Sequence, residues 1–421
     1  MSESSAPRKP LLPMEEALAR LLAQVQPLGQ SELLDTALCG GRVLAQDLVS
    51  PLDVPPQDNS AMDGYALRVA DLSGPGTVLP VSQRIPAGSL PQPLQRGTAA
   101  RIFTGAFVPE GADAVLMQEQ CEALDGAVRI LGSVSPGLAI RRRGEDLRVG
   151  QPVLAAGTRL HAGSLGLAAT AGAAQLRVAR KPRVALFSTG DELALPGQPL
   201  KPGQIYNANR STLHALLLAL GCEVRDLGIV PDSLAATRAA LREAADGQRD
   251  GQRDGGQGVD LILSSGGVSV GEEDHLKPAL QAEGRLDLWQ LAIKPGKPLA
   301  FGEVSRAQGS TWFVGLPGNP VSSFVTFLLF VRPLLLRLQG ASQLQPRGVQ
   351  LPAAFRWTRA DVRREFLRAR IDEQGALALF GNQSSGVLSS AAWADGLIDL
   401  PPGSTVEPGQ LLRFLPFNEL F

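Results

Sequence analysis

The chain has 421 residues, of which 44% are hydrophobic and 19% charged, with a net charge of -1. Single cores stop growing near ~250 to 300 residues, so this length implies roughly two to four domains, and the apolar content excludes a disordered chain. A balance of 40 basic and 41 acidic residues gives no global field to recruit nucleic acid or an anionic membrane, so any anionic ligand must be held by a local cluster. Cys39, Cys121 and Cys222 form no CxxC pair and are odd in number, which argues against a zinc framework or disulfide scaffold and for a reducing compartment. His161, His214 and His275 have no metal-ligand spacing. The opening MSESSAPRKP lacks the apolar core of a secretory signal, so a cytosolic protein is expected.

In chain order, Met14 to Val25 has helical spacing, and Leu33 to Leu48 repeats it after a break at Pro27 to Gln30. From Pro51 to about Arg143 the chain is rich in Pro and Gly with short alternating runs, the pattern of a small β domain, and a second β-like stretch reaches Val178. Lys181 opens a different pattern. RVALFS, EVRDLGIV and VDLILSS read as strands, separated by the helices ANRSTLHALLLALG, ending on Gly221, and PDSLAATRAALREAA, with Asp232 as its cap. That alternation implies a parallel sheet covered by helices, with ligands at the carboxyl ends of the strands. DGQRDGQRDGGQG, from Asp246 to Gly258, is a polar low-complexity repeat that reads as a surface loop. The apolar run Phe324 to Val331 is too short for a membrane span and reads as a buried helix.

Candidate chemistry gathers at those strand ends. Ser188 to Glu192 follows the first strand, and Ser264 to Gly271 follows the third and runs into Glu272, Glu273 and Asp274. Glycines let backbone N-H groups converge on an anion, so the second loop can cradle phosphate; alone it reads equally as a tight turn. Carboxylates beside a phosphate require a cation between them, and Mg2+ takes one or two carboxylates plus phosphate oxygens. Asp191, Glu192, Asp232 and Asp274 are the candidates, each also readable as a solvated or capping group. Lys294 and Lys297 sit in the Pro-framed loop AIKPGKP, where they can grip an anion or stay solvated. Leu316 to Pro320 is a rigid turn that presents a helix N-terminus.

Together, Asp58 to Ala66, Ile140 to Asp146, Ser188 to Glu192, Ser264 to Gly271, Lys294 to Pro298 and Leu316 to Pro320 occur in one order that closely resembles the molybdopterin molybdenumtransferase family, the MoeA and gephyrin E-domain group. The resemblance runs from about Leu11 to the C-terminus. It implies a multidomain α/β plus β fold. A helical and β linker domain is expected at 8-50 with 143-180, a β-rich second domain at 51-142, a central α/β molybdopterin-binding-type domain with a parallel sheet at 181-340 and a barrel-like C-terminal β domain at 345-421. It further implies a Mg2+-dependent reaction in which adenylylated molybdopterin and molybdate give molybdenum cofactor and AMP, in a cleft shared by the two subunits of a homodimer.

By motif, the resemblance puts Asp63, Thr104 and Asp146 on the second-domain side of that cleft. It sets Asp191, Glu192, Asp232 and Asp274 opposite, as catalytic or Mg2+-holding carboxylates. Ser265, Gly266, Gly267 and Ser269 belong to the loop that cradles phosphate, and Lys294, Lys297, Arg368 and Ser385 offset the charge on molybdate, Arg368 and Ser385 helping to hold the oxyanion. Contact with other cofactor-assembly or acceptor proteins is also implied. Arg141 to Arg143 reads either as a cofactor strip or as a solvated patch. Two departures stand out: Gln290, where relatives often carry a basic residue that Lys277 could replace, and Ser384 in Asn382 to Ser385, in place of glycine. The sister adenylyltransferase activity and a non-catalytic scaffold of the same fold are the alternatives.

Overall fold

A computed structural model describes residues 11-249, 252-253, 258-267, 275-306 and 309-421. Its centre is a six-stranded sheet in the order 223-230, 183-189, 261-265, 310-316, 298-305, 284-290. The first four strands run parallel, as the alternation of strand and helix implies; the last two add an antiparallel edge. Arg183–Thr189 and Leu261–Ser265 are almost wholly buried, as befits strands covered on both faces. One face packs Leu213, Leu216 and Leu217 of the helix Ala208–Ala219 together with the apolar segment Val321 to Leu338. The other packs Ala240, Leu241 and Leu280 from the helices Leu234–Asp246 and Leu276–Glu283.

The apolar run expected as a buried helix lies within Pro320–Leu338, which has the length and composition of a membrane span but is 94% buried inside the protein. Its middle, Phe327–Val331, takes a π-turn just before Pro333. Proline has no N-H to continue the regular ladder, and a widened turn is one way a helix absorbs that loss. Met14–Gln24 is helical, as its spacing predicts, and buries Ala17, Leu18 and Leu21 in this same core.

The helix expected over Leu33 to Leu48 does not form. Ser31–Asp35 is a strand paired antiparallel with Gln175–Ala179, a short 3-10 turn follows at Thr36–Leu38, and Leu48–Val49 pairs with Pro152–Leu154. The apolar residues of this stretch meet their partners across a distant part of the chain, so Leu44 packs with Leu160, Leu176 and Val178. Pairing with those partners overrides the local helical period. Between these halves lies a second six-stranded sheet spanning Gly64–Leu67 to Ala127–Ile130, with an apolar cluster on each face. The C-terminal sheet runs 293-294, 364-371, 396-400, 411-416, 349-352, with Leu377–Leu379 branching from Arg364–Ile371. Its first strand, Ile293–Lys294, comes from the central domain and pairs parallel with Arg364 and Glu365. That pairing joins the two sheets. Of the Asp246 to Gly258 repeat, Gln248–Arg249 and Gln252–Arg253 form a short antiparallel pair; residues 250-251 and 254-257 lie outside the described residues.

Candidate active site

A cleft of about 890 Å³ opens where the parallel strands end. Its floor includes Thr189, Ser265, Gly266 and Gly267 from two adjacent strand ends, and Glu192 and Asp232 from the loops beside them. Lys294 and Lys297 come from the Pro-framed loop, Gly318 and Asn319 from the turn before the buried helix, and Arg363, Ser384 and Ser385 from the C-terminal domain. This is the position that the topology of a parallel sheet assigns to a ligand.

Backbone geometry explains the glycines at two points. Gly266 has φ +91° and its backbone passes so near Thr189 that a Cβ would stand 2.7 Å from the Thr189 carbonyl oxygen. Only glycine fits there without moving the neighbouring strand end. Gly296, at φ +114°, lies against Thr326 Oγ1 of the buried helix, leaving no room for a Cβ between them. The lysine loop is thereby pressed onto that helix. Ser265 is 2% exposed and its hydroxyl is 3.0 Å from that of Ser188 on the adjoining strand.

The carboxylates of the α/β domain gather on one side. The Asp232 N-H donates to Asp191 Oδ1 at 3.3 Å, and Glu192 folds back over Gly190. Asp232 is not the helix cap: Ser233 takes that place, its hydroxyl accepting from the Ala236 N-H at 3.3 Å, and Asp232 lines the cleft. Asp191 is exposed next to these residues without lining the cleft itself. Ser269 and Asp274 lie outside the described residues, and among the described residues no group of three or more His, Cys, Asp or Glu could hold a metal ion.

Opposite stands a basic wall. Lys294 Nζ lies 2.8 Å from Glu365 Oε1 and 3.1 Å from Asp361 Oδ2, and these two carboxylates hold the lysine pKa above its ordinary value against the opposing effect of burial. The Arg363 guanidinium donates to Asp361 from Nε at 3.0 Å and Nη2 at 2.9 Å, and chiefly through that contact holds the Asp361 carboxyl far below the usual range. Lys297 is exposed at the cleft.

Arg368 does not belong to that wall. It is 0% exposed, its Nε donates to Ser390 Oγ at 3.1 Å and its Nη1 to the Phe366 carbonyl at 3.1 Å, and burial pushes its pKa down to about 10. The main chain of Arg368 donates to and accepts from the Gln383 side chain, both at 2.9 Å. Arg368 thus braces the loop that carries Ser384 and Ser385 from beneath, and Arg363 is the arginine that reaches the cleft. Position decides between them: Arg363 stands in the bend just before the strand Arg364–Ile371, whereas Arg368 lies inside that strand with its side chain enclosed. Ser385 lines the cleft, its carbonyl accepting from the Val321 N-H at 3.0 Å.

Three expected site residues lie elsewhere on this chain. Asp63 Oδ1 accepts from the Thr104 N-H at 2.8 Å and hydroxyl at 2.7 Å, and these bonds, the backbone one first, lower the Asp63 pKa. Asp146 is exposed, its N-H bonded to the Val54 carbonyl at 2.9 Å. None of the three lines this cleft. Arg142 and Arg143 of the basic run pair with Asp58 and Asp53, each at 2.6 Å, so they brace neighbouring loops. Gln290 and Lys277 are also absent from the cleft lining. Sequence reading missed Arg363, Asp361, Glu365 and Asn207. Asn207 is 2% exposed and lines the cleft, and its Oδ1 caps the helix Ala208–Ala219 by accepting from the Arg210 N-H at 3.1 Å.

Comparison with known proteins shows the family. Three family models match in order: the MoeA N-terminal region (domain I and II) over residues 12-172, the "Probable molybdopterin binding domain" over 185-337, and the MoeA C-terminal region (domain IV) over 350-417. The chain belongs to the MoeA family. It is 40% identical over 417 residues to a molybdopterin molybdenumtransferase of Haemophilus influenzae, covering 97% of this chain and 100% of that one. A relative of the same name from a Nostoc species is 36% identical over 396 residues, covering 91% and 88%. A solved molybdopterin biosynthesis MoeA protein of Pyrococcus horikoshii superposes with a TM-score of 0.81 at 28% identity, covering 97% of this chain and all of that one. In MoeA terms, the cleft is formed by the molybdopterin-binding and C-terminal regions, and Asp63 and Thr104 belong to the N-terminal region.

Proposed function

We propose that this MoeA-family protein is a molybdopterin molybdenumtransferase: it takes adenylylated molybdopterin and molybdate, inserts molybdenum at the dithiolene and releases AMP. The observation that carries this reading is the polarity of the cleft, with Glu192 and Asp232 on one side and Lys294, Lys297 and Arg363 on the other. A substrate with two phosphates and a second, separate oxyanion fits such a division. The Gly266-Gly267 turn and Ser265 receive the phosphates, and the lysines, Arg363 and Ser385 receive molybdate, by charge-assisted hydrogen bonds. Fixed donors in a partly enclosed cleft stabilise developing charge without reorganising.

Mg2+ fits the acidic side, since it prefers oxygen ligands and takes few carboxylates when phosphates complete its shell. One or two of Glu192, Asp232 and the neighbouring Asp191 would hold it together with phosphate oxygens, with Asp274 the further candidate by motif. When bound it would offset charge on the AMP leaving group. Asp63, Thr104 and Asp146 complete the site in this reading from the second subunit of a homodimer, which explains why a single chain leaves them outside the cleft. The three cysteines are unpaired, in keeping with a cytosolic enzyme. The adenylyltransferase alternative is not favoured, because the likeness extends through the N-terminal and C-terminal regions as well as the binding domain.

AMP release from adenylylated molybdopterin should require both molybdate and Mg2+; AMP formed equally well without molybdate would refute the assignment. For the shared cleft, Asp63→Ala and Lys294→Ala proteins, each inactive, are refolded together. Random pairing of symmetric subunits should return roughly a quarter of wild-type turnover, whereas a site built within one chain would return none.

A further inference from the structure

Two cations of the basic wall come from different domains and share one carboxylate oxygen. Asp361 Oδ2 lies 3.1 Å from Lys294 Nζ and 2.9 Å from Arg363 Nη2. Its Oδ1 accepts from the Arg363 Nε and backbone N-H, both at 3.0 Å. Glu365, 2% exposed, takes a second bond from Lys294 and holds its other oxygen on Trp357 Nε1 at 3.1 Å. Lys294 and Arg363 line the cleft and the two carboxylates do not, so the acids stand behind the cations as seen from the ligand.

Counting donors shows what is left for a ligand. An ammonium has three N-H groups and a guanidinium five. With two lysine donors on Asp361 and Glu365, and the arginine Nε and one Nη2 donor on Asp361, the remainder lies on the open side of each cation. Two bare cations at this spacing would repel and splay apart.

We propose that Asp361 is a positioning residue for the oxyanion: it gathers Lys294 and Arg363 onto one carboxylate, so that their remaining donors converge on a tetrahedral dianion. This rests on the reading that the basic wall holds molybdate. Asp361 never touches the anion; it sets the separation and orientation of the two groups that do. The parallel pairing of Lys294 with Glu365 fixes the lysine backbone in the same register. The site is thereby organised before the anion arrives, which lowers the cost of binding.

The test titrates molybdate alone into the full-length protein by calorimetry, then repeats it as steady-state turnover. Asp361→Asn should weaken molybdate binding roughly tenfold or more, the loss of about one charge-assisted hydrogen bond at the anion. The half-saturating concentration of adenylylated molybdopterin and the turnover at saturating molybdate should stay within about twofold, since orientation of the oxyanion cations is all that changes. Asp361→Glu should recover part of the loss. Molybdate affinity that is unchanged or tighter in Asp361→Asn overturns the proposal, the tighter result making Asp361 a competitor of the anion. Ser385→Ala and Arg363→Met separate the two levels of inference. If neither weakens molybdate, the oxyanion is bound elsewhere and the underlying reading fails; if both do and Asp361→Asn does not, only the positioning role fails. Should Asp361→Asn fail to fold, the Arg363 Nε-H resonance of the 15N-labelled wild type replaces it. A signal protected before molybdate is added supports the paired state, and an unprotected one overturns it.

Discussion

The α/β domain and the C-terminal sheet contribute to one cleft by different rules. In the parallel sheet, Thr189, Asp232, Ser265 and Pro317 line the cleft because they end or follow neighbouring strands at their carboxyl ends, a position that the topology fixes whatever their identity. In the antiparallel sheet no end is privileged. Its cleft residues Arg363, Ser384 and Ser385 sit in the bend before the strand Arg364–Ile371 and in the loop after Leu377–Leu379, while within the strand the register turns Arg368 inward. Motif position therefore leads to cleft-lining residues such as Glu192, Asp232 and Ser265 in the first region and to the enclosed Arg368 in the second.

Gly266→Ala should produce the largest effect on the α/β side. A side chain at φ +91° with its Cβ 2.7 Å from the Thr189 carbonyl oxygen must displace the phosphate loop. The left-handed backbone alone costs an L-residue roughly 1 to 2 kcal/mol, and the close contact adds to it. Turnover should fall by about a hundredfold or more, on the order of the loss when fixed donors at a developing charge are removed. Native-like circular dichroism with full activity would mean that the loop does not need this geometry.

Much of the α/β half was legible beforehand because burial and period agree there. RVALFS and VDLILSS are continuous apolar runs, and both are interior strands of the parallel sheet. Leu33 to Leu48 failed for the opposite reason: its apolar residues answer to Leu160, Leu176 and Val178, which no local window contains. The segment DVRREFLRAR offers Arg363, Arg364, Arg368 and Arg370 within eight positions, and composition cannot choose among them. The structure disperses them. Arg363 reaches the cleft, Arg364 pairs with Asp399, Arg368 is enclosed, and Arg370 stacks on the Trp393 ring at 4.7 Å. Asn207 was hidden because helix capping is a sufficient reason for an asparagine at that position.

Arg368→Met should produce a smaller and different effect, because this side chain braces a loop and holds no ligand. Methionine leaves Ser390 and the Phe366 carbonyl without their donor, a loss of about 1 to 3 kcal/mol for unmet buried groups. Urea unfolding should record that loss. The molybdate requirement should rise only as far as the Ser384-Ser385 loop loosens, by less than the change in the arginine that lines the cleft. A stable Arg368→Met protein with a large, selective molybdate defect would return Arg368 to the anion site.

The most direct measurement compares the two substrates in Arg363→Met. In the proposed reading Arg363 of the C-terminal domain joins Lys294 and Lys297 of the central domain at the oxyanion, while the parallel strand ends hold the nucleotide phosphates. Molybdate is titrated at saturating adenylylated molybdopterin, and then the pterin substrate at saturating molybdate. Losing one hydrogen bond to a charged group is worth about 1.5 to 3 kcal/mol, so the half-saturating molybdate concentration should rise roughly tenfold to a hundredfold or more. The pterin requirement and the unfolding free energy should change little. Equal losses for both substrates, or none for molybdate, would contradict the division of the cleft.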